Sequence, residues 1–293
     1  MPTRPATVRV ADARPSRSAE WSEDETSSAW ATNDDAFEQM TTDLTEVILE
    51  HAGLVPGHAV LDLACGTGNL ALTAAERVQP QGAVSACDLS PGMIKIAECK
   101  AATRPERVAF QVADAHRLPY ANNSFDRVLC RLGVMFFDAE IDALREVRRV
   151  LKNDGRAVFL VWGRPSAPFF QTTLNVVTSH LDSRSPSDVQ PAPFRFSDPG
   201  HLATAFRHAG FTTVAERRHD ILIRWDGTAE EFVRWRLETT SGPFQMLFRD
   251  LLRSSPAAAR TQMSIEMTKR VTRYEAASAV SIPVEAVVVV AER

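Results

Sequence analysis

The sequence predicts an α/β fold, a doubly wound and mostly parallel sheet with a mainly helical cap. Three observations predict it. Between Ala59 and Asp154 short apolar runs alternate with helical patterns, as right-handed βαβ units do. The first run ends in an acid and enters a tight turn, Asp62-Leu63-Ala64-Cys65-Gly66-Thr67-Gly68, with a helical pattern behind it. A second acid, Asp88, closes the next run 20 residues after Gly68.

Composition is that of an ordinary globular chain: 293 residues, 44% apolar and 24% charged, enough for one nucleotide-binding core with an added cap. A net charge of -4 supplies no global basic field, so nucleic acid is not an expected partner. No window approaches the roughly 18 consecutive apolar residues of a membrane span. The N-terminus lacks the apolar stretch and cleavage site of a secretory signal. A cytoplasmic address with reduced thiols is therefore expected. Cys65, Cys87, Cys99 and Cys130 show no CxxC pairing and read as small packing hydrophobes.

In chain order, residues 1–28 read as a flexible tail, with Pro2, Pro5, Pro15 and four arginines in its first 20 residues; a cleaved targeting peptide is the alternative. Residues 29–163 form the binding core. Phe37, Met40, Leu44, Val47 and Ile48 recur at helical spacing and predict one amphipathic helix leading into it. Strands follow at Ala59–Leu63, Ala83–Asp88, Val108–Val112 and Phe125–Cys130, with helices after the first, second and fourth. The last of these helices carries Ile141, Leu144, Val147 and Leu151 on one face, and Asn153-Asp154-Gly155 is expected to end it as a glycine C-cap. A fifth strand, Ala157–Trp162, is a continuous apolar run, as when both faces are covered.

Residues 164–197 contain Pro186, Pro191 and Pro193 and read as a cap insertion. Residues 198–226 return to the core as a helix stopped by Gly210 and a strand over Phe211–Trp225. Residues 227–280 read as a helical cap, and 281–293 hold the final strand.

The chemistry lies at the strand ends. Gly66 and Gly68 let the chain turn sharply and let a ligand lie against main-chain N–H groups. Asp88 stands where a carboxylate grips both hydroxyls of a ribose. Glycines and a following acid also fit a dinucleotide fingerprint, which leaves an NAD(P)-dependent oxidoreductase as a rival reading. Asp62 separates the two. A pyrophosphate over this turn would be repelled by a neighbouring carboxylate, whereas a ligand bearing an ammonium and a sulfonium would be attracted. After the third strand, Asp114 and the N–H of Ala115 could read the edge of an adenine.

These residues resemble the class I S-adenosylmethionine-dependent methyltransferases, and more closely their ubiquinone/menaquinone-biosynthesis-like small-molecule branch. The resemblance runs from about Val60 to Trp162. It is carried by Val60 to Gly68, Asp88-Leu89-Ser90-Pro91-Gly92-Met93, Asp114-Ala115, Arg131-Leu132-Gly133-Val134-Met135-Phe136-Phe137 and Arg149 to Gly155. It implies a Rossmann-like, seven-stranded sheet whose last strand is antiparallel, with S-adenosyl-L-methionine as cofactor and S-adenosyl-L-homocysteine as product. By the resemblance Asp62, Gly66 and Gly68 hold the methionine end, Asp88 the ribose, Met93 one adenine face, and Asp114 with Ala115 the adenine edge. Ala64, Leu89 and Arg131 join these expected cofactor contacts.

The chain has Ala64 where many relatives have a first glycine, and Asn153-Asp154-Gly155 where Pro-Gly-Gly is common. After the fourth strand Cys130-Arg131-Leu132-Gly133 replaces the Asp/Asn-Pro-Pro-aromatic box of DNA-methylating members, and no acid appears there before Asp138, so no metal is expected.

Trp30, ahead of the first helix, is the expected lid over the cofactor, with simple anchoring the alternative for it and for Trp21. Met135 and Phe136 follow the fourth strand at the carboxyl edge of the sheet, where acceptor contact and core packing both remain open. His116 reads as a solvated loop residue. Aromatics in the cap, among them Phe169, Phe170, Phe194, Phe196, Trp225, Phe232, Trp235, Phe244 and Phe248, suggest an apolar or planar small molecule as methyl acceptor. No general base is legible, a non-catalytic cofactor-binding partner protein stays open, and a monomer or homodimer is expected.

Overall fold

A computed structural model describes residues 24–105, 107–179, 192–238 and 257–293. Two helices, α1 (Asp24–Met40) and α2 (Thr42–Ala52), precede the sheet. The sequence pattern predicted one helix here, and the difference lies in two threonines. Thr41 Oγ1 donates to the carbonyl of Phe37 at 2.8 Å and Thr42 Oγ1 to that of Glu38 at 3.0 Å. Such back-bonding hydroxyls bend or break a helix, and Thr41 leaves the helical region at φ -109°, ψ 16°.

The core follows as β1 (Ala59–Leu63), α3 (Asn69–Val78), β2 (Ala83–Asp88), α4 (Pro91–Ala101), β3 (Val108–Val112) and β4 (Phe125–Arg131). Next come α5 (Glu140–Val150) and β5 (Leu151–Trp162). Asn153-Asp154-Gly155 does not cap α5, contrary to expectation. The helix ends at Val150 with Leu151 already extended, and the tripeptide lies within β5, where the register with β4 jumps between Phe125 and Arg127. The apolar Leu151 is drawn into the core, fully buried, and pulls the chain into the sheet early.

The remaining elements are α6 (Pro168–Thr172), α7 (Leu174–Ser179), α8 (His201–His208), β6 (Thr213–Asp226), α9 (Ala229–Glu238), α10 (Ala257–Val271), β7 (Glu275–Ala276) and β8 (Ala279–Glu292). Among the described residues the sheet has eight strands. Seven run in the order β3-β2-β1-β4-β5-β8-β6, and the two-residue β7 adds to β8 at one end. β1 to β5 pair in parallel, and β8 is inserted antiparallel between β5 and β6. This is the mostly parallel sheet that the sequence predicted, with one short strand added.

Both faces are covered. Val287, Val288 and Val289 of β8 and Phe159 of β5 are fully buried, and Phe159 meets Phe206 of α8 edge to face at 5.0 Å. Parallel strands place all their carboxyl ends along one edge, and the order reversal beside β1 opens a crevice there.

Candidate active site

The register fixes what faces the crevice. Asp62 in β1 pairs with Ala86 in β2 and with Leu129 in β4. Side chains alternate along a strand, so residues two positions beyond those partners share the face of Asp62. They are Asp88 and Arg131. Three adjacent strands thus present acid, acid and base in a row, and Asp114, two residues past the end of β3, extends the row on the far side of Asp88. The cleft is lined by all four.

The turn after β1 forms the cleft floor. Ala64, Gly66 and Gly68 all take positive φ, at 56°, 54° and 83°. A β-carbon on Gly66 would point into open space, whereas one on Gly68 would lie 2.9 Å from Ala97 and Phe110. Gly66 therefore leaves room for a ligand, and Gly68 lets α3 close on the sheet.

Asp62 is 1% exposed, and its Oδ2 has no hydrogen-bond partner. Burial, opposed by Arg131 and reinforced by Asp88, pushes its carboxyl up to about 8. A buried carboxylate with one oxygen unpartnered is unfavourable by itself and suits a cationic ligand. Asp88 accepts from the backbone N–H of Gly66 at 2.8 Å and of Ser90 at 2.9 Å, and burial still raises its pKa. These bonds aim the carboxylate and leave lone pairs for further donors.

Asp114 accepts from the backbone N–H of His116 at 2.9 Å and from its ring Nδ1 at 2.6 Å. Burial would raise its pKa, but those bonds outweigh it and hold the carboxyl below its usual range. His116 Nε2 takes the N–H of Ala139 at 3.3 Å, so this histidine bridges two loops at the cleft rather than standing free in solvent.

Arg131 is clasped by Glu38 of α1 through Nη1 at 3.0 Å and Nη2 at 2.7 Å, and Nη1 also donates to Thr45. Burial depresses the arginine's pKa and raises that of Glu38, but each charge outweighs this for its partner, raising the first and lowering the second. One turn earlier on α1, the buried Asp34 accepts from Thr67, Asn69 and Lys100. Two polar latches therefore hold α1 over the turn, and Phe37 between them lines the cleft.

Most of the expected site residues converge. Asp62, Ala64, Gly66, Asp88 and Leu89 line the cleft, as do Met93, Asp114, Ala115, Arg131 and Phe136. Gly68 stands behind them at the start of α3. Met135 does not line the cleft; it is fully buried in the core, because the 3-10 turn Val134–Phe136 sends successive side chains to different sides. The side chain of Trp30 lies outside the described residues, as do Trp21, Phe244 and Phe248. The other cap aromatics named above pack against one another, except Phe196, whose ring meets His201 at 5.4 Å. Phe169 and Phe170 meet at 5.2 Å, Phe170 and Phe194 at 4.7 Å, and Trp225 and Trp235 at 5.2 Å.

The aromatic wall of the cleft comes instead from Phe37, Phe136 and Phe137. Arg195 fixes it, donating to the carbonyl of Phe137 at 2.7 Å while pairing with Glu140 at 2.7 Å. Neither Phe37, which lines the cleft, nor Arg195, which braces Phe137 from behind, was legible as a site residue, since each comes from an element distant in sequence. Among the described residues no group of three or more His, Cys, Asp or Glu is placed to hold a metal ion, and no helix is long and apolar enough to cross a membrane.

A family model described as a methyltransferase domain matches residues 60–155. The chain is 30% identical over 180 residues to a demethylmenaquinone methyltransferase of Staphylococcus aureus, covering 58% of this chain and 74% of that one. Its fold is similar to that of the YcgJ protein of Bacillus subtilis, with TM-score 0.55 and 21% identity over 85% of this chain and 97% of that one. It is also similar to a Haemonchus contortus phosphoethanolamine N-methyltransferase, solved with phosphomonomethylethanolamine and S-adenosylhomocysteine. That pair has TM-score 0.56 and 18% identity, over 90% of this chain and 57% of the other.

Proposed function

The chain belongs to the class I S-adenosylmethionine-dependent methyltransferases, and from that premise we propose that it methylates a small, apolar or aromatic acceptor held against Phe37, Leu132, Phe136 and Phe137. The observation that carries this reading is the composition of the cleft. Its charged groups lie along the strand ends and at Asp34 of α1, and an apolar stretch of its wall runs from Leu132 and Phe136 after β4 to Phe37 on α1. The Staphylococcus relatives are named for a demethylmenaquinone, and a planar, apolar ring is what such a wall would accept.

The residues fit the cofactor. The unpartnered oxygen of Asp62 suits the ammonium, Asp88 the ribose hydroxyls, and the open space beside Gly66 the close approach of the ligand to the main chain. Met93 and Leu89 would pack on the adenine, and Asp114 with the N–H of Ala115 would read its edge. Bound there, S-adenosylmethionine supplies a methyl group made electrophilic by its sulfonium. The protein then contributes register. Its latched helix α1 and its phenylalanine wall would hold the acceptor in line and keep water out, a positioning effect that can supply up to about 7 to 11 kcal/mol. In this reading the cleft acids are otherwise engaged: Asp62 by the cofactor's ammonium, Asp34 by Lys100 and Asn69, Asp88 by two backbone amides, and Asp114 by His116. We therefore assign none of them to proton abstraction.

A turnover screen with methyl-labelled S-adenosylmethionine tests the reading. Label should enter apolar aromatic or isoprenoid-ring acceptors, and Phe136→Ala should raise KM for them. Label entering only polar metabolites would overturn it.

A further inference from the structure

Away from the cleft, polar contacts strap the two leading helices along the edge strand β6. Gln39 of α1 donates to Asp226, Asp43 of α2 pairs with Arg224 at 3.2 Å, and His51 near the end of α2 meets His219. The last contact differs in kind. Its two rings turn Nε2 toward Nε2 at 2.9 Å, from positions 168 residues apart in the chain, with their planes inclined at 69°. In a neutral imidazole whose proton sits on Nδ1, Nε2 offers a lone pair. Two such atoms here face one point. An ion about 2.0 to 2.1 Å from each, with a ligand angle of about 90 to 110°, needs its nitrogens about 2.9 to 3.4 Å apart.

We propose that His51 and His219 form a binding site for a zinc-like divalent transition-metal ion, which pins the end of α2 to β6. The ligands are preorganised. Arg127 donates to the carbonyl of Ala52 at 2.6 Å and Arg156 to that of His51 at 3.4 Å, which fixes the backbone carrying one ring. The other ring stands in the ladder, at a residue paired with Ala286 of β8. Both histidines are half-buried and lie outside the cleft lining, and water completes the shell around two protein ligands. Imidazole nitrogens suit zinc, nickel or copper, whereas magnesium and calcium prefer oxygen. The charges around the pair are Glu50, Arg217 and Arg156. Arg156 is paired with Glu292 at 3.0 Å, so these four charges cancel and the ion meets no excess of positive charge. Burial and the neighbouring His219 also hold the His51 imidazole below its usual range, which favours the neutral, ligating form.

The test is calorimetric titration of the untagged full chain with zinc chloride at pH 7.5, with magnesium chloride as the control. Wild-type protein should bind one zinc saturably and gain melting temperature with it, and magnesium should do neither. His51→Gln and His219→Gln each keep a hydrogen-bonding partner for the remaining ring but remove a ligand. Each should weaken zinc binding at least about tenfold, the lower end of what even an outer-shell partner of a metal ligand contributes, while leaving the zinc-free melting temperature close to that of the wild type. Hydrogen exchange on the wild type needs no variant to fold: zinc should slow exchange in the last turn of α2. Absence of saturable zinc binding by the wild type would overturn the proposal and leave the pair a hydrogen bond alone. Unchanged affinity in both glutamine variants, or zinc-dependent protection confined to other elements, would place the ion elsewhere and overturn it too. None of these outcomes depends on the cofactor or the acceptor.

Discussion

Binding of the cofactor should depend on pH through Asp62. In the empty site burial holds this carboxyl at about 8, so it is mostly protonated at neutral pH. An ammonium contact with the unpartnered oxygen requires the carboxylate. Binding must then release a proton, and affinity rises with pH until the empty-site carboxyl ionises by itself. For an empty-site value within a unit of 8 and a ligand amine of ordinary pKa, affinity for S-adenosylhomocysteine should grow roughly five- to ninefold between pH 6 and pH 7. Calorimetry at pH 7 in two buffers of different ionisation heat should show a net release of about 0.4 to 0.9 proton. Asp62→Asn should bind weakly, with no such slope.

The sign for the empty fold is the opposite. A carboxyl whose pKa is raised above its unfolded value supports the fold at low pH and withdraws that support as pH climbs toward 8. The rise in melting temperature on adding S-adenosylhomocysteine should therefore be larger at pH 8 than at pH 6. An affinity that is flat or falls from pH 6 to pH 7, with no proton released, would refute the reasoning about Asp62.

Three further outcomes follow from the cleft. Asp88→Ala removes the acceptor for two ribose hydroxyls, each bond contributing about 1.5 to 3 kcal/mol, so binding of S-adenosylhomocysteine should weaken at least about 100-fold in a protein with wild-type circular dichroism; retained affinity would refute the ribose assignment. Gly66→Ala projects a methyl group into the cleft from a φ of 54°. It should destabilise the fold by about 1 to 2 kcal/mol and weaken cofactor binding far more than denaturant stability, and unchanged binding would place the ligand elsewhere. Ala64→Gly relieves a left-handed residue at φ 56°. Relief of about 1 to 2 kcal/mol less about 0.5 to 1 of added chain entropy should raise stability by up to about 1.5 kcal/mol, and a drop in melting temperature would contradict it.

The sequence was most informative where local pattern decides structure. β1, β2 and β3 begin and end at the residues where the apolar runs do, because each run is bounded by a turn or by an acid at the sheet edge. Asp62, Asp88 and Asp114 were legible for the same reason: a charge at or just past the end of an apolar strand pattern is conspicuous. What stayed hidden depends on contacts between distant segments. Glu38 and Arg131 are 93 residues apart, and Asp34 and Lys100 are 66 apart. No spacing rule links them until α1 is known to lie over the turn. The break at Thr41 was hidden by an apolar period that runs through it unchanged, since hydroxyl back-bonds leave no trace in hydropathy. His116 was misread because its partner, Asp114, was considered only as a ligand contact. The cap aromatics looked available for a substrate until the fold packed most of the described ones on one another and left the wall to Phe37, Phe136 and Phe137.

The central claim is that the acids along the strand ends read a nucleoside joined to a cationic amino acid rather than a pyrophosphate. Titration of the wild-type protein with S-adenosylhomocysteine and, separately, with NADH tests it most directly. The account predicts saturable one-to-one binding of S-adenosylhomocysteine with proton release at pH 7, and no heat of binding with NADH. Saturable binding of NADH, with none of S-adenosylhomocysteine, would contradict it.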